Sequence, residues 1–298
     1  MNQPTIQPPR PAPQAAGKAQ TMGSNSLSSR LNPFLPPLFI TLILLVGNLS
    51  FGILESYSKT ILAIVTAIGA EMVLGRIFLR KWPHPASAYI TGISVGILLR
   101  SPAFWPYALC SLLSITSKYA LRVRNRHIWN PSNFGICAML FLAPQSVASL
   151  SIQWGNNFAS LIVIWVLGAV IVYRARRLHV TLTYVICFIA LSFVRAHITG
   201  DPWQAEISPI TGPMYQLFIF FMITDPKTTV RSPVGQSIVA VAIALLEFVF
   251  RLERSIYAPL YALFWIGPAA MLIEMGLDSR RAGKADAAHS ADGKTVRA

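Results

Sequence analysis

Residues 210–231, ITGPMYQLFIFFMITDPKTTVR, decide how this chain folds, because an apolar run ends abruptly there in Thr-Asp-Pro at residues 224–226. Pro226 cannot donate a backbone hydrogen bond and disfavours helical geometry at Asp225, so the helix is predicted to stop near Ile223. Two compatible interpretations follow. Asp225 caps a new short helix that begins at Pro226, or the broken helix leaves polar backbone inside a membrane protein, facing protein or a cavity.

A fainter copy of this stretch lies upstream. Residues 90–92 read Ile-Thr-Gly, as residues 210–212 do, and the apolar run that follows ends in Arg-Ser-Pro at residues 100–102. After each break come one hydrophobic span, a group of basic residues and a similar start, HIWNP at 127–131 and SIYAP at 255–259. Two matches in the same order predict an internal duplication.

The composition points to a membrane protein. Hydrophobic residues make up 54% of the chain and charged residues only 12%, and the mean hydropathy is +0.53, which is too apolar for a soluble domain. The formal charge of +14 could suggest a nucleic-acid partner. The Lys and Arg residues lie in clusters between the hydrophobic segments, however, so they fit membrane topology and no nucleic acid is expected. The expected surroundings are a lipid bilayer.

Ten apolar segments follow one another at about 34–54, 60–79, 86–99, 104–121, 132–143, 158–173, 180–198, 210–223, 236–250 and 256–275. Three of them, 86–99, 132–143 and 210–223, are shorter than the roughly 20 residues that a helix needs to cross the hydrocarbon. Short segments in corresponding places of two halves predict discontinuous helices that meet near the midplane.

These segments set the predicted domain boundaries. Residues 1–32 are rich in Pro, Gln, Ala and Ser and are predicted to form a disordered cytoplasmic tail. The transmembrane domain is predicted at 33–275, with one repeat at 33–143 and a second at 158–275. The polar residues 276–298 are predicted to form a second disordered cytoplasmic tail.

The basic residues predict the orientation. With the N-terminus in the cytoplasm, twenty Lys and Arg residues fall inside and five fall outside: Lys59, Arg100, Arg195, Arg251 and Arg254. This bias predicts a multi-pass protein of the inner, cytoplasmic membrane with both termini in the cytoplasm. Because each half has an odd number of spans, the halves face opposite ways. The predicted fold is therefore all-α, with about ten transmembrane helices in two inverted five-helix repeats.

Polar residues at the ends of the segments and inside them are candidates for function. Asn130 precedes Pro131 and is predicted to cap the next helix. The basic residues just before it either set the topology only or meet an anionic group. Glu247 lies four residues before Arg251, which predicts an ion pair within one helix. For Glu71, also inside an apolar segment, a proton-relay role stays open.

Five motifs between residues 33 and 275 resemble those of the NqrB/RnfD family, the membrane subunits of the sodium-pumping NADH:quinone reductase and of the Rnf electron-transport complex. They are SAYITG at 87–92, the run 117–127, WNP at 129–131, RLH at 177–179 and TDP at 224–226. The resemblance implies ten spans in two inverted repeats, a fold similar to urea and ammonium channels. It also implies a role in electron transport, with coupled ion movement.

The resemblance departs from the family at the flavin attachment. Full-length members carry FMN esterified to a Thr in a Ser-Gly-Ala-Thr-like sequence, in a long loop between the fifth and sixth spans. Here that loop is residues 143–157, APQSVASLSIQWGNN, which contain no Thr, so covalent FMN is not expected. The shortened form is similar to UnbU-like proteins of enediyne biosynthesis clusters and to short RnfD-like proteins.

The leading hypothesis is a membrane scaffold that works with electron-transfer subunits and holds a non-covalent flavin, FMN or riboflavin, or a quinone. The predicted cofactor-binding residues are Thr91, Gly92, Asn130, Thr211, Gly212, Thr224 and Asp225. The glycines would allow close backbone approach, and the polar groups would orient a ring edge. The chain carries no stand-alone catalytic motif, so it would act at most as a subunit of a redox-driven complex.

Three alternatives remain open. The same inverted-repeat scaffold suits a channel or transporter for a small solute or ion, with Thr224 and Asp225 at a constriction. A structural subunit would use the basic residues Arg122 and Arg124 to dock cytoplasmic partners. An UnbU-like protein would serve natural-product biosynthesis or export.

Overall fold

The computed structural model describes residues 35–52, 54–124, 126–149 and 158–295, and it is mostly helical. The first half contributes α1 Leu35–Phe51, α2 Tyr57–Leu79, α3 Ala86–Leu98, α4 Trp105–Ala120 and α5 Pro131–Leu142. Two short antiparallel strand pairs connect this part: Leu99–Arg100 pairs with Ala148–Ser149, and Arg122–Val123 pairs with Arg126–His127.

The second half contains a broken segment between long helices. It begins with α6 Phe158–Arg174, α7 Leu178–Thr199 and the short α8 Trp203–Ile207, followed by a 3-10 turn, Ser208–Thr211. Helix α9, Pro213–Leu217, continues into a turn of π-helix, Phe218–Met222, and the last helices are α10 Pro233–Leu252 and α11 Ala258–Thr295. The predicted apolar segments are thus helical over most of their length, and the short ones stay short, with 13 residues in α3 and 12 in α5.

The long helices indicate a membrane protein. Among the described residues, four helices are long and apolar enough to cross a membrane: α2, α7, α10 and the Ala258–Arg280 part of α11. Helix α2 exposes Ile61, Val65, Val73 and Ile77, whereas its buried face carries Thr60, Ala63, Ala67, Glu71 and Gly75. Large apolar side chains outside and small or polar ones inside are the reverse of a helix packed in a water-soluble protein, and this arrangement suits lipid.

Some helix contacts are similar in the two halves. Helix α2 packs on α3 and α4, and α4 packs on α5; likewise α7 packs on α10, and α10 packs on α11. Between the halves, α1 contacts α6 and α5 contacts α11. Two glycines without side chains let helix α3 approach α2 closely. A Cβ at Gly92 would lie 2.6 Å from Cα of Ile64, and a Cβ at Gly96 would lie 2.6 Å from Cγ2 of Thr60.

Two sequence expectations need correction. The helical segment ends before Ile223, as predicted, but no helix starts at Pro226; the next one begins at Pro233, where the Ser232 hydroxyl accepts the Gly235 amide. Residues 276–295 continue α11 instead of forming a disordered tail, because their many Ala, Lys and Arg residues extend a helix that is already anchored by packing. The predicted tail at 1–32 and the loop residues 150–157 lie outside the described residues.

Candidate functional site

The break after the π-helical turn places Asp225 at a surface between the two halves. Residues 226–232 form turns, since Pro226 prevents the helix from continuing. One oxygen of Asp225, Oδ1, accepts a hydrogen bond from the Lys227 amide at 3.0 Å, so the carboxylate stabilises this turn. The side chain is half-buried. π-Helical turns occur frequently at functional sites, which makes this break a candidate.

Asn130 meets Asp225 from the other half of the chain. As the sequence predicted, Asn130 caps α5: its Oδ1 accepts the Asn133 amide at 3.2 Å, and Pro131 occupies the first position. Its Nδ2 donates to Oδ2 of Asp225 at 3.3 Å. One side chain therefore stabilises a helix start and joins the WNP motif to the TDP motif.

Basic side chains from three further elements surround this pair. The carboxylate of Asp225 interacts electrostatically with Lys118 at the end of α4, His127 in the strand pair and Arg177 before α7. We call the six residues concerned the junction cluster: Lys118, His127, Asn130, Arg177, Asp225 and Lys227. Burial lowers the pKa of His127 below its ordinary value; Asp225 raises it in part, and Lys118 and Lys227 lower it further. These surroundings therefore favour the neutral form of the imidazole.

A buried ion pair adjoins the junction cluster. The Lys118 ammonium lies 2.6 Å from Oε2 of Glu71 and donates to Oγ of Ser87 at 3.3 Å. The Tyr119 hydroxyl donates to Oε1 of Glu71 at 3.0 Å. Glu71 is thus turned inward, as expected of a carboxylate in an apolar segment, and its neighbours satisfy both of its oxygens.

A cavity of about 300 Å³ lies at the opposite end of the broken segment, beside Gly212. We call it the arginine cavity. It is lined by Arg195, Ala205, Glu206, Pro209, Gly212, Met214, Tyr215, Arg251, Arg254, Ser255 and Ile256.

Glu206 organises the charges of the arginine cavity. It is buried, with Oε1 paired to Arg195 and Oε2 paired to Arg251 at 2.9 Å. Arg251 also donates to Oγ of Ser192 at 3.1 Å and lies 4.7 Å from the centre of the Phe188 ring. Arg254 adds a third cation at the exposed edge. Sequence reasoning missed Glu206 because it lies in the short connection after α7, outside the apolar segments.

Glu247 has different partners from those the sequence suggested. Its oxygens accept hydrogen bonds from two tyrosine hydroxyls, Tyr215 at 2.7 Å and Tyr184 at a shorter distance. The predicted pair with Arg251 is wrong, because Arg251 turns instead to Glu206. Glu247 is only 1% exposed. Tyr215 also lines the arginine cavity, so a single phenol links that cavity to a buried carboxyl group.

The predicted site residues fall into three places. Asn130 and Asp225 meet in the junction cluster, and the buried Thr224 next to them donates to the Phe220 carbonyl at 2.8 Å. Gly212 lines the arginine cavity, and the Thr211 hydroxyl bonds the Ser208 carbonyl beside it.

Thr91 and Gly92 lie in α3, where the Thr91 hydroxyl bonds the Ser87 carbonyl and Gly92 permits contact with α2. The broken segment between Gly212 and Ile223 contributes ten helical residues, or about 15 Å at the rise of an α-helix. One cofactor edge therefore cannot touch all seven residues.

Comparison with known proteins leaves the family open. No protein-family model matches the chain, and no curated protein matches it in sequence. The resemblance to the NqrB/RnfD family therefore depends on the five motifs and on the contacts that they make.

Proposed function

We propose that this protein is a multi-span membrane subunit of the NqrB/RnfD type, whose junction cluster holds a non-covalent flavin or quinone and supports electron transport across the membrane. The observation that carries the proposal is the contact of 3.3 Å between Nδ2 of Asn130 and Oδ2 of Asp225. It unites two motifs of the resemblance that are separated by 95 positions in the sequence.

The packing order supports the inverted five-helix repeats that this proposal includes. We match the helices in chain order. Helix α1 corresponds to α6, α2 to α7, α3 to the broken segment formed by α9 and the π-helical turn, α4 to α10, and α5 to α11. The pairs α2–α4 and α4–α5 then correspond to α7–α10 and α10–α11. The contacts α1–α6 and α5–α11 join equivalent helices, as expected around a pseudo-two-fold axis. With ten spans and an odd number in each half, the repeats would face opposite ways.

The residues of the junction cluster fit a polar ring edge. The Asn130 amide can donate or accept, the Asp225 carboxylate can accept, and Lys118, Arg177 and Lys227 supply positive charge. A bound flavin or quinone would take up and pass on electrons, while these side chains bind it, orient it and adjust the charge around its ring. Lys227 is exposed and Asp225 half-buried, so the cluster is reachable from the predicted cytoplasmic side.

Purification in mild detergent tests this proposal directly. We expect absorbance and fluorescence of a flavin, or an extractable quinone, in the purified protein or after incubation with FMN, riboflavin or ubiquinone. Asp225→Asn should lower the bound amount, whereas Asp201→Asn, the same change at an exposed position after α7, should not. Failure of all three compounds to bind, or equal binding by both variants, would contradict the proposal.

A second candidate function is a path for a small solute or ion. The observation that favours it is the position of the broken segment, which has the arginine cavity at one end and the junction cluster at the other. Short helices of this kind often line the binding site of a transporter. A solute that passes along the segment would meet polar groups at both ends.

Flux measurements distinguish the second candidate from the first. Proteoliposomes would be tested for urea permeation by light scattering and for ammonium by an internal pH dye. A path predicts flux above that of empty liposomes, lost in Asp225→Asn and kept in Asp201→Asn, in a protein without a chromophore. Flux at the level of empty liposomes would exclude these two solutes.

A further inference from the structure

Three of the five cations that fall outside the predicted cytoplasmic side converge on one cavity. Arg195 comes from the last turns of α7, Arg251 from the last turn of α10, and Arg254 from the connection that follows. Membrane proteins keep few Lys and Arg residues on the non-cytoplasmic side, so the positive-inside rule does not account for a convergence of three there. Their common position indicates an interaction partner.

The arginine cavity contains more positive than negative charge. Glu206, the carboxylate in its lining, is shared by Arg195 and Arg251 and uses both of its oxygens for them. The Tyr215 hydroxyl on the same wall is already donated to Glu247. With three guanidinium groups and one carboxylate among the described lining residues, the wall carries a net positive charge close to +2.

The site is built from fixed groups. The side chains of Arg251 and Glu206 are 10% and 5% exposed, and that of Arg195 is 14% exposed. Further hydrogen bonds hold the two arginines, from Nε of Arg195 to the Arg251 carbonyl and from Arg251 to Ser192. Each guanidinium has more N–H donors than these contacts use, and in such a partly desolvated wall they bind an anion more strongly than in water.

The size and the remaining lining restrict the ligand. A volume of about 300 Å³ admits a small molecule, and Pro209, Met214 and Ile256 give the cavity apolar walls beside its charged end. The planar fork of an arginine matches the geometry of a carboxylate or a phosphate. The cavity thus has a cationic end for an anionic group and an apolar side for a short carbon chain.

We propose that the arginine cavity binds a small molecule or lipid headgroup through a carboxylate or phosphate group. The cavity lies at the other end of the broken segment from the junction cluster, so this binding does not depend on the proposed redox function. An anion seated there would neutralise the excess charge of Arg251 and Arg254. It would also lie against Tyr215, whose hydroxyl contacts the buried Glu247.

The test measures anion binding to the full chain in neutral detergent. Inorganic phosphate and succinate are added at constant ionic strength against chloride, and the unfolding temperature is followed by tryptophan fluorescence. We expect a saturable increase, because a ligand that binds only the folded state stabilises it. Isothermal titration calorimetry then gives the Kd. Nanodiscs of phosphatidylcholine with or without phosphatidylglycerol distinguish a lipid headgroup from a free anion.

Arg254→Gly is the decisive variant, because it removes a cation without straining the chain. Arg254 has a φ of 58°, in the left-handed region that glycine adopts at no steric cost. We expect Kd to rise about tenfold, the size expected for the loss of a charge-assisted hydrogen bond. Arg80→Gly is the matched control, since Arg80 has a φ of 54° and follows α2, away from the cavity; its Kd should equal that of the wild type.

A second variant tests the position of the ligand without changing charge. Ala205→Phe fills part of the cavity from an exposed position, so it should weaken binding while leaving the fold intact. Stabilisation by phosphatidylglycerol alone, lost in Arg254→Gly, would identify a lipid headgroup as the source and support the proposal. No response to phosphate, succinate or phosphatidylglycerol would overturn it, as would equal effects of Arg254→Gly and Arg80→Gly.

Discussion

Lys118 and Glu71 form a buried ion pair, with 2.6 Å between Nζ and Oε2. The second half contains a similar pair, Arg251 with Glu206 at 2.9 Å. In both cases the cation lies near the end of a long helix, α4 or α10, and the carboxylate comes from another element of the same half. These pairs fix the relative positions of the helices in each half, because a buried charge tolerates little displacement from its partner.

Glu71→Gln should destabilise the fold strongly, because it leaves the Lys118 ammonium in an apolar interior without its counter-charge. We expect a loss of about 3–5 kcal/mol in the free energy of unfolding, measured by denaturant titration in mixed micelles. Replacing both partners, in Glu71→Leu with Lys118→Met, should recover much of it. Asp278→Asn is the control, because its ion pair with Arg231 is 3.9 Å long and exposed, and it should change stability by less than about 1 kcal/mol.

Gly92→Ala should separate a packing role from a cofactor role at this position. The new Cβ would lie 2.6 Å from Cα of Ile64, and backbone atoms cannot move aside easily, so α3 must shift away from α2. We expect a loss of about 1–3 kcal/mol, with or without any added cofactor. Gly69→Ala in α2 has open space around it and should gain up to about 1 kcal/mol from helix propensity. A loss that appears only with bound flavin would favour the cofactor role.

The sequence predicted the helices well because each follows from local chemistry. Runs of apolar residues, the Asn130 cap and the stop before Asp225 are all decided within a few residues of the feature itself. The predicted short helix at Pro226 does not form, whereas a helix does begin at Pro233. Both Pro residues follow a residue that can cap a helix, so the local sequence does not distinguish the two positions.

The candidate site was harder to predict because its groups come from distant parts of the chain. The sequence motifs identify Asn130 and Asp225 separately, and only the fold shows that their side chains form a hydrogen bond. Glu247 and Arg251 lie at ideal helical spacing, yet each has a closer partner elsewhere, Tyr215 for one and Glu206 for the other. Spacing along one helix cannot reveal such competition, because the competing groups belong to other elements.

Asn130→Asp should destabilise the fold, mainly because the new carboxylate repels that of Asp225. An aspartate can still cap α5, but it would set two carboxylates side by side where an amide now donates at 3.3 Å. We expect a lower unfolding temperature, followed by tryptophan fluorescence, and recovery when Asp225→Asn is added, since the pair is then restored with its roles exchanged. The coupling energy should be about 0.5–3 kcal/mol. Additive effects of the two substitutions would mean that the residues do not interact.

His127 should titrate below the ordinary histidine range and make the fold sensitive to acid. Burial lowers its pKa from the ordinary 6.5, and Lys118, Lys227 and Arg122 add to the effect, while Asp225 opposes it. Below about pH 6.5 the unfolded chain binds a proton that the folded chain resists, so stability decreases as the pH falls through this range. NMR of histidine-labelled protein in nanodiscs, assigned with His127→Gln, measures the value directly. Asp225→Asn should lower the pKa of His127 further, whereas Asp201→Asn should leave it unchanged. An unchanged pKa of His127 in Asp225→Asn would show that the two side chains are not close.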